Sequence, residues 1–412
     1  MLFIYNILIT LVTYATRIAR GSAIESERIW QGRFGEIEHF KKCDIWLHAA
    51  SVGEVKVIGH LIDFLLNEQP DVKIHVTTMT KAGYSTAELL YGERDISLSF
   101  FHFDKRSIVK KTFEMLSPKL LIIAETEIWP NTILEASERN VPIILINGRM
   151  SEKAFGKYKI FRNSFSNLLA KYDKLFLKSD IDFNRYAYFN LNNDKMEITG
   201  DLKFDAPITD RDSEVIAAIK KSCGIQPDSF LMVAGSTRPG EEEILLNLFE
   251  KMYTEHKTFN LVIAPRHLDR ISEIKELLQK RKIPFKLFGS ESQLESLILV
   301  DKFGLLQKLY LAADISFVGG TMVDIGGHNL LEPVWAGSPV LFGESVYNVV
   351  ESAEYIQENN FGAIVHSEEE LYSLVLSVFN NEWSFAKKTS SDLENSATSL
   401  IGKYVIHRLN DV

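Results

Sequence analysis

Two consecutive doubly wound parallel α/β sheets are the fold that this chain predicts, on three observations. Short apolar runs rich in β-branched residues alternate with longer amphipathic stretches, as βαβ units do. The series then begins again in the second half. A chain of 412 residues, 46% hydrophobic and 25% charged, is long enough for two cores of ordinary domain size.

The first segment, MLFIYNILITLVTYATRIA, carries no charge before Arg17. As a helix it would be about 28 Å long at ~1.5 Å per residue, barely one bilayer core. No basic stretch precedes it and no small-x-small cleavage site comes after it, which disfavours a cleaved leader. Residues 1–21 are expected to anchor the chain. One form is a span, with Arg17, Arg20 and Arg28 holding the rest of the chain in the cytoplasm. The other is a surface or core-packed helix interrupted by Asn6, Thr10 and Thr13.

Residues 22–205 then carry expected strands at 45–47, 73–77, 98–101, 120–123, 143–146, 174–177 and 195–198. Stretches 55–67 and 163–171 between them have apolar residues at three- and four-residue spacing, as helices require. A joint near residues 205–212 leads to a second domain, 206–390, with expected strands at 230–234, 259–263, 284–287, 296–300, 315–318, 340–342 and 363–365 and helices such as 241–251 and 271–281. Residues 391–412 are expected to form a terminal helix, with packing against the first domain as one option.

A net charge of -9 argues against a nucleic-acid binder, which would show a dominant basic balance or face. Cys43 and Cys223 lie far apart, so neither a disulfide framework nor a zinc site is indicated and a reducing compartment fits.

In open parallel sheets ligands bind beyond the carboxyl ends of the strands, so the loops after strands are where chemistry is sought. HAASVGEV, residues 48–55, is such a loop: small residues let a backbone turn tightly, and Glu54 falls in the first helical turn. The helix dipole favours an anion there by about 0.3–1 kcal/mol, so Glu54 is either a general base or an ordinary first-turn acid. AETEIWPN, residues 124–131, places Glu125 and Glu127 two apart, as ligand contacts or as caps of the next helix. TGDLKFD, residues 199–205, holds Lys203, either a phosphate contact or a solvated hinge lysine.

In the second half, LVIAPRH ends a strand with Arg266 and His267, residue types that meet anions. The stretch 314–343 has two Gly–Gly pairs before a helix that opens with Glu332. Such a loop either cradles a phosphate on main-chain N–H groups, with Glu332 on ribose hydroxyls, or is a glycine-rich turn with a cap. No P-loop lysine motif or strand-borne GxGxxG occurs, which disfavours NTPases and dinucleotide enzymes. Asp180-Ile181-Asp182 and Asp210-Arg211-Asp212 match the short DxD pattern, but acids at that spacing are common and no metal is called for.

Taken in order, HAASVGEV, ETEIWPN, GRMSEKAF, GDLKFD, APRH and FVGGTMVDIGGHNLLEP, with the apolar N-terminal segment, closely resemble the Kdo (3-deoxy-D-manno-octulosonic acid) transferases of Gram-negative bacteria. The resemblance implies a GT-B fold, two Rossmann-like domains with a cleft between them. It implies a donor, CMP-Kdo, held by the C-terminal domain, and an acceptor, lipid IVA, met by the N-terminal domain at the cytoplasmic face of the inner membrane. By motif, Glu54 takes the place of the general base, and Glu127 and Lys203 those of transition-state stabilisation. CMP contacts fall on Pro265, Arg266, Phe303, Gly304, Leu305, Asn329, Leu330, Leu331 and Glu332. Ser51 and Gly53, and in the second half Gly235, Ser236, Thr237, Gly326, Gly327 and His328, belong to the loops expected to line donor or acceptor. The family implies inversion without a metal or cofactor.

The chain departs from the family pattern at Gln31-Gly32-Arg33-Phe34-Gly35, at Arg238 where a histidine is usual, and at Glu344 where proline is common. Lys153, Lys157, Lys159 and Arg162, with Lys105, Arg106, Lys110 and Lys111, are either acceptor-steering cations or ordinary solvated faces. Other readings are a UDP-sugar transferase or epimerase, and a sugar- or lipid-binding scaffold without turnover.

Overall fold

The computed structural model describes residues 2–18, 24–36, 42–205, 211–290, 295–386, 388, 394 and 396–411. Arg20, Asp210, most of the expected joint and the boundaries expected at 21/22 and 390/391 lie outside the described residues. The chain divides into two compact units, one made of Met1–Ala206 with Leu393–Val412, the other of Pro207–Asp392.

In the first unit seven strands run parallel: β1 (Ile45–His48), β2 (Ile74–Thr78), β3 (Ile96–Phe100), β4 (Leu120–Ala124), β5 (Ile143–Gly148), β6 (Lys174–Leu177) and β7 (Met196–Ile198), in the order β3-β2-β1-β4-β5-β6-β7. Strands β1, β2, β4 and β5 are buried along their whole length; β4, LLIIA, accordingly reads as a continuous apolar run, while β2, IHVTT, buries His75, Thr77 and Thr78. Successive side chains still point to opposite faces. Ile45 and Leu47 pack with Ile122 and Ile144 on one face, while Trp46 packs with Leu121, Ile123 and Leu145 on the other.

Helix Val52–Glu68 buries Val55, Ile58, Leu61, Ile62 and Leu65 against the first of these faces. The chain's last helix, Ala397–Asn410, adds Ile401 and Val405 to the same core. It is tied down by Thr398 N–H to Asp205 Oδ2 (2.7 Å), Tyr404 O–H to Asp173 Oδ2 (2.8 Å) and Arg408 Nε–H to the same oxygen (3.0 Å).

The apolar N-terminal segment forms a helix, Leu2–Ile18, with Phe3, Ile4, Leu8, Leu11, Val12 and Ile18 exposed. Its polar interruptions have partners in its own unit: Tyr5 O–H donates to Asp104 Oδ2 at 2.7 Å, and Asn131 donates to Asn6 Oδ1 at 2.7 Å. Among the described residues no helix is long and apolar enough to cross a membrane. The described part of this helix is 17 residues long.

The second unit repeats the scheme with β8 (Phe230–Thr237), β9 (Phe259–Pro265), β10 (Lys286–Leu287), β11 (Leu297–Leu299), β12 (Ile315–Val318), β13 (Val340–Phe342) and β14 (Gly362–Ile364), all parallel, in the order β10-β11-β9-β8-β12-β13-β14. The winding reverses between β1 and β4 in the first sheet and between β8 and β12 in the second. At such a point the loops leaving two neighbouring strands run to opposite sides and open a crevice at the carboxyl edge.

Candidate active site

The first unit brings HAASVGEV and AETEIWPN to the two sides of its switch point, since they come directly after β1 and β4. Ser51 caps helix Val52–Glu68. Its Oγ accepts from Glu54 N–H at 3.4 Å and donates to Glu54 Oε1 at 2.7 Å, while Ala50 N–H donates to Oε2 at 2.7 Å. This is a capping box, with the return contact one residue before the cap. It holds Glu54 in a single pose with 8% of its surface exposed. Each oxygen has taken one donor and keeps capacity for another.

After β4 the backbone enters the left-handed region at Glu125, φ 55°, an unusual place for a residue with a Cβ and a known mark of functional loops. Glu125 N–H still bonds Ile146 O at 2.9 Å, and Thr126 Oγ1 meets Tyr186 O–H at 2.9 Å. Neither Glu125 nor Glu127 caps the next helix, Pro130–Glu138. The N–H groups of Asn131 and Thr132 go to the buried Asp104 carboxylate at 2.9 and 2.8 Å. The two glutamates are thus left for other work. Burial, then the neighbouring Glu54 charge, push the Glu127 carboxyl up to about 7. The same two causes raise Glu125, opposed by Lys178 and Arg149.

Lys203 lies in a turn fastened at both sides. Leu202 N–H donates to Asn147 Oδ1 at 3.0 Å, and Lys203 N–H to Asp201 Oδ1 at 3.0 Å. Leu202 is buried with Val55 and Ile58, which joins this turn to the helix that begins at Glu54. Lys203 Nζ stands 3.6 Å from Asp201 Oδ2, an oxygen also paired with Lys178 Nζ. Four carboxylates, Glu54, Glu125, Glu127 and Asp201, and two lysines, Lys178 and Lys203, therefore occupy the carboxyl edge from β1 to β7.

In the second unit β8 ends at Gly235, Ser236 and Thr237. A Cβ at Gly235 would lie 2.0 Å from the buried Tyr310 hydroxyl, so only glycine fits. Ser236 has φ 56° at an irregularity in the β8–β9 pairing. Thr237 Oγ1 donates to Glu242 at 2.8 Å. Arg238 donates from Nε to His328 Nε2 at 3.0 Å and pairs through Nη1 with His267 Nε2 at 2.8 Å. A guanidinium only donates, so both imidazoles accept at Nε2. Burial, then Arg238, Arg266 and His267, lower His328 to about 4. Arg266 comes after buried Pro265 and is exposed. Arg238, Arg266, His267 and His328 make a donor-rich cluster suited to an anion.

On the same edge stands the Asp301–Leu305 loop, with Phe303 77% exposed, Gly304 at φ 80° and Leu305 next to the helix after it. Asn329 accepts from Leu331 N–H and donates to Glu332 Oε1, both at 3.1 Å. Leu330 and Leu331 are buried.

Several expectations change. The Gly–Gly pairs do not offer a free N–H cradle: Gly319 N–H bonds Gly235 O, Gly326 N–H bonds Ser345 Oγ, Gly327 N–H bonds Gly320 O, and Gly320 N–H bonds Glu241. Their glycines serve close packing; a Cβ at Gly326 would meet Tyr347 at 2.3 Å. Asp182 of the first DxD is taken up locally: its helix is capped by Ser179, whose O–H donates to Asp182 Oδ2 at 2.7 Å, while Met150 N–H donates to Oδ1 at 2.8 Å. Arg33 is a fastener, donating to Phe101 O at 3.0 Å and Met79 O at 2.5 Å, with Gly32 against Phe100. Glu344 pairs with His366 at 2.6 Å. Arg106 pairs with Glu138 at 2.8 Å, and Arg162 reaches Tyr188 O and Asn190, so two of the proposed steering cations have local partners. Sequence reasoning missed Lys178, which comes after β6 without a motif, and Glu241, hidden in an acidic run.

Comparison with known proteins decides what these loops belong to. The family model described as 3-deoxy-D-manno-octulosonic-acid transferase (Kdo transferase) matches residues 28–206. The 3-deoxy-D-manno-octulosonic acid transferase of Chlamydia trachomatis serovar A is 30% identical over 86% of this chain and 82% of its own. The chain belongs to the Kdo transferase family. It is a glycosyltransferase. A bifunctional glycosyltransferase/methyltransferase of Fusobacterium nucleatum is 35% identical over 86% of this chain, which spans only 56% of that longer protein. UDP-GlcNAc 2-epimerase from Neisseria meningitidis superposes with a TM-score of 0.56 at 14% identity, covering 89% of this Kdo transferase family member and 100% of the epimerase. That likeness is one of fold, GT-B.

Proposed function

We propose that the chain transfers Kdo from CMP-Kdo to lipid IVA at the cytoplasmic face of the bacterial inner membrane, with inversion and without metal or cofactor. The placement of Glu54 carries this reading. Its carboxylate is fixed by Ala50 N–H and Ser51 O–H at the switch point, with capacity left to accept one more proton or hydrogen bond.

Glu54 takes the proton of the attacking acceptor hydroxyl as the new bond to the anomeric carbon of Kdo forms. The bond from that carbon to the CMP phosphate oxygen breaks, and CMP departs with the electron pair. Lys203 offsets charge developing on the phosphate, and Glu127 hydrogen-bonds in the transition state. The cluster of Arg238, Arg266, His267 and His328 holds the donor's phosphate, with Glu332 and Asn329 toward the ribose and Phe303 to Leu305 toward the base. The exposed apolar face of helix Leu2–Ile18 rests on membrane lipid.

Mass spectrometry of lipid IVA after incubation with CMP-Kdo tests the reading. Wild type should add Kdo, and Glu54→Gln should lose about a hundredfold or more of the rate, the scale of a general base, while still binding CMP. Equal rates would remove Glu54 from the chemistry, and no transfer by wild type would remove the substrate pair.

A further inference from the structure

Glu241 opens helix Glu241–Glu255 and is wholly buried. An acidic residue in a first turn is ordinary, but its contacts here are not to its own helix. Oε2 accepts from Arg238 N–H at 2.9 Å and Gly320 N–H at 2.8 Å, and Oε1 from Thr321 and Met322 N–H, each at 3.0 Å. Four donors fill a carboxylate's capacity. Three come from the loop after β12 and one from the loop after β8, the two loops that diverge at the switch point of the second sheet. One side chain therefore ties both walls of the crevice together, in a nest of N–H groups of the kind that elsewhere binds phosphate.

The same two loops supply Arg238 and His328, which meet at 3.0 Å. Glu242, the next residue, takes Arg270 at 2.7 Å and Thr237, so the adjacent carboxylate is also turned away. Among the described residues no carboxylate pairs with the guanidinium of Arg238 or Arg266. The nest is filled from within, and the cationic side chains beside it are left to an outside anion.

We infer that Glu241 is a positioning residue: by occupying the N–H nest it sets Arg238 against His267 and His328, and the donor's phosphate is recognised by that side-chain cluster and not by the glycine loop. The inference rests on the CMP-sugar reading above only for the choice of nucleotide.

Calorimetric titration of CMP and of cytidine separates positioning from general loss of fold. Wild type should bind CMP about tenfold or more tighter than cytidine, a difference of ~1.4 kcal/mol or more. Glu241→Gln, whose amide accepts at one atom only, should bring that ratio close to one while cytidine affinity changes little. Arg238→Ala should do the same, and the double variant should be no worse than either, since both act through one cluster. A wild-type ratio in Glu241→Gln overturns the inference, and so does an equal loss of both ligands. If Glu241→Gln has no cooperative thermal transition, Glu241→Asp, which keeps the charge and shortens the reach, is judged by the same ratio. If wild type prefers UMP to CMP, the donor reading falls and the UMP-to-uridine ratio decides the role of Glu241.

Discussion

Glu54 and Glu127 are close enough for the charge of one to raise the carboxyl of the other, yet their surroundings differ. Glu54 accepts from two donors; Glu127 has burial and a neighbouring negative charge against ionisation, and stands near 7. A carboxyl raised in this way can act as a proton or hydrogen-bond donor near neutral pH. Glu127 is protonated below pH 7 and can donate a hydrogen bond, and it loses that capacity as pH rises through 7. Transfer should therefore weaken between about pH 6 and 8. Glu127→Gln, a donor that cannot ionise, should retain activity at the acid end and lose this decline. A variant inactive at every pH would sink the donor role. Gln also suits Glu54, because a capping box accepts Glu or Gln, so Glu54→Gln tests chemistry with little effect on the helix start. Glu54 was legible as a first-turn acid because HAASVGEV sets small residues and a carboxylate directly after an apolar run. Glu241 was not: its partners lie about eighty residues on, at Gly320 to Met322, and no local pattern encodes that meeting.

Strands and helices were legible for a related reason. LLIIA or LVIA is buried on both faces, so apolar content alone marks it. Sheet order was not, because local periodicity says nothing about which strand lies beside which; the pairing of β1 with β4 and of β8 with β12, which makes the crevices, came only from the structure. The irregular strand ends at Asn147 and Ser236, left-handed without glycine, were likewise invisible. The terminal helix offers a test at this scale. A Cβ at Gly402 would stand 2.3 Å from Phe64 of helix Val52–Glu68, so the two helices meet where a side chain is missing. Gly402→Val should cost about 1–3 kcal/mol, the usual range for overpacking, read as a lower urea midpoint. An unchanged midpoint would mean that Phe64 swings aside at no cost and that the close approach does not support this packing.

At the scale of the whole chain, the two sheets look alike but carry opposite local charge at their switch points. The first gathers Glu54, Glu125 and Glu127; the second gathers Arg238 and Arg266 with two histidines. An overall charge of -9 conceals the two arginines, which is why composition argued against a nucleic-acid binder but could not locate an anion site. The asymmetry predicts where a nucleotide acts. A ligand that binds only the folded form stabilises it by about 2.7 kcal/mol at roughly a hundredfold excess over Kd, and the effect begins in the unit that binds it. Hydrogen exchange with saturating CMP should slow in the amides that end β8, β9 and β12 and leave those after β1 and β4 near their free rates. Protection confined to the first unit would reverse the assignment of donor and acceptor. Protection in Arg238→Ala equal to wild type would show that CMP is held elsewhere, because a phosphate gripped by that guanidinium cannot keep its affinity without it.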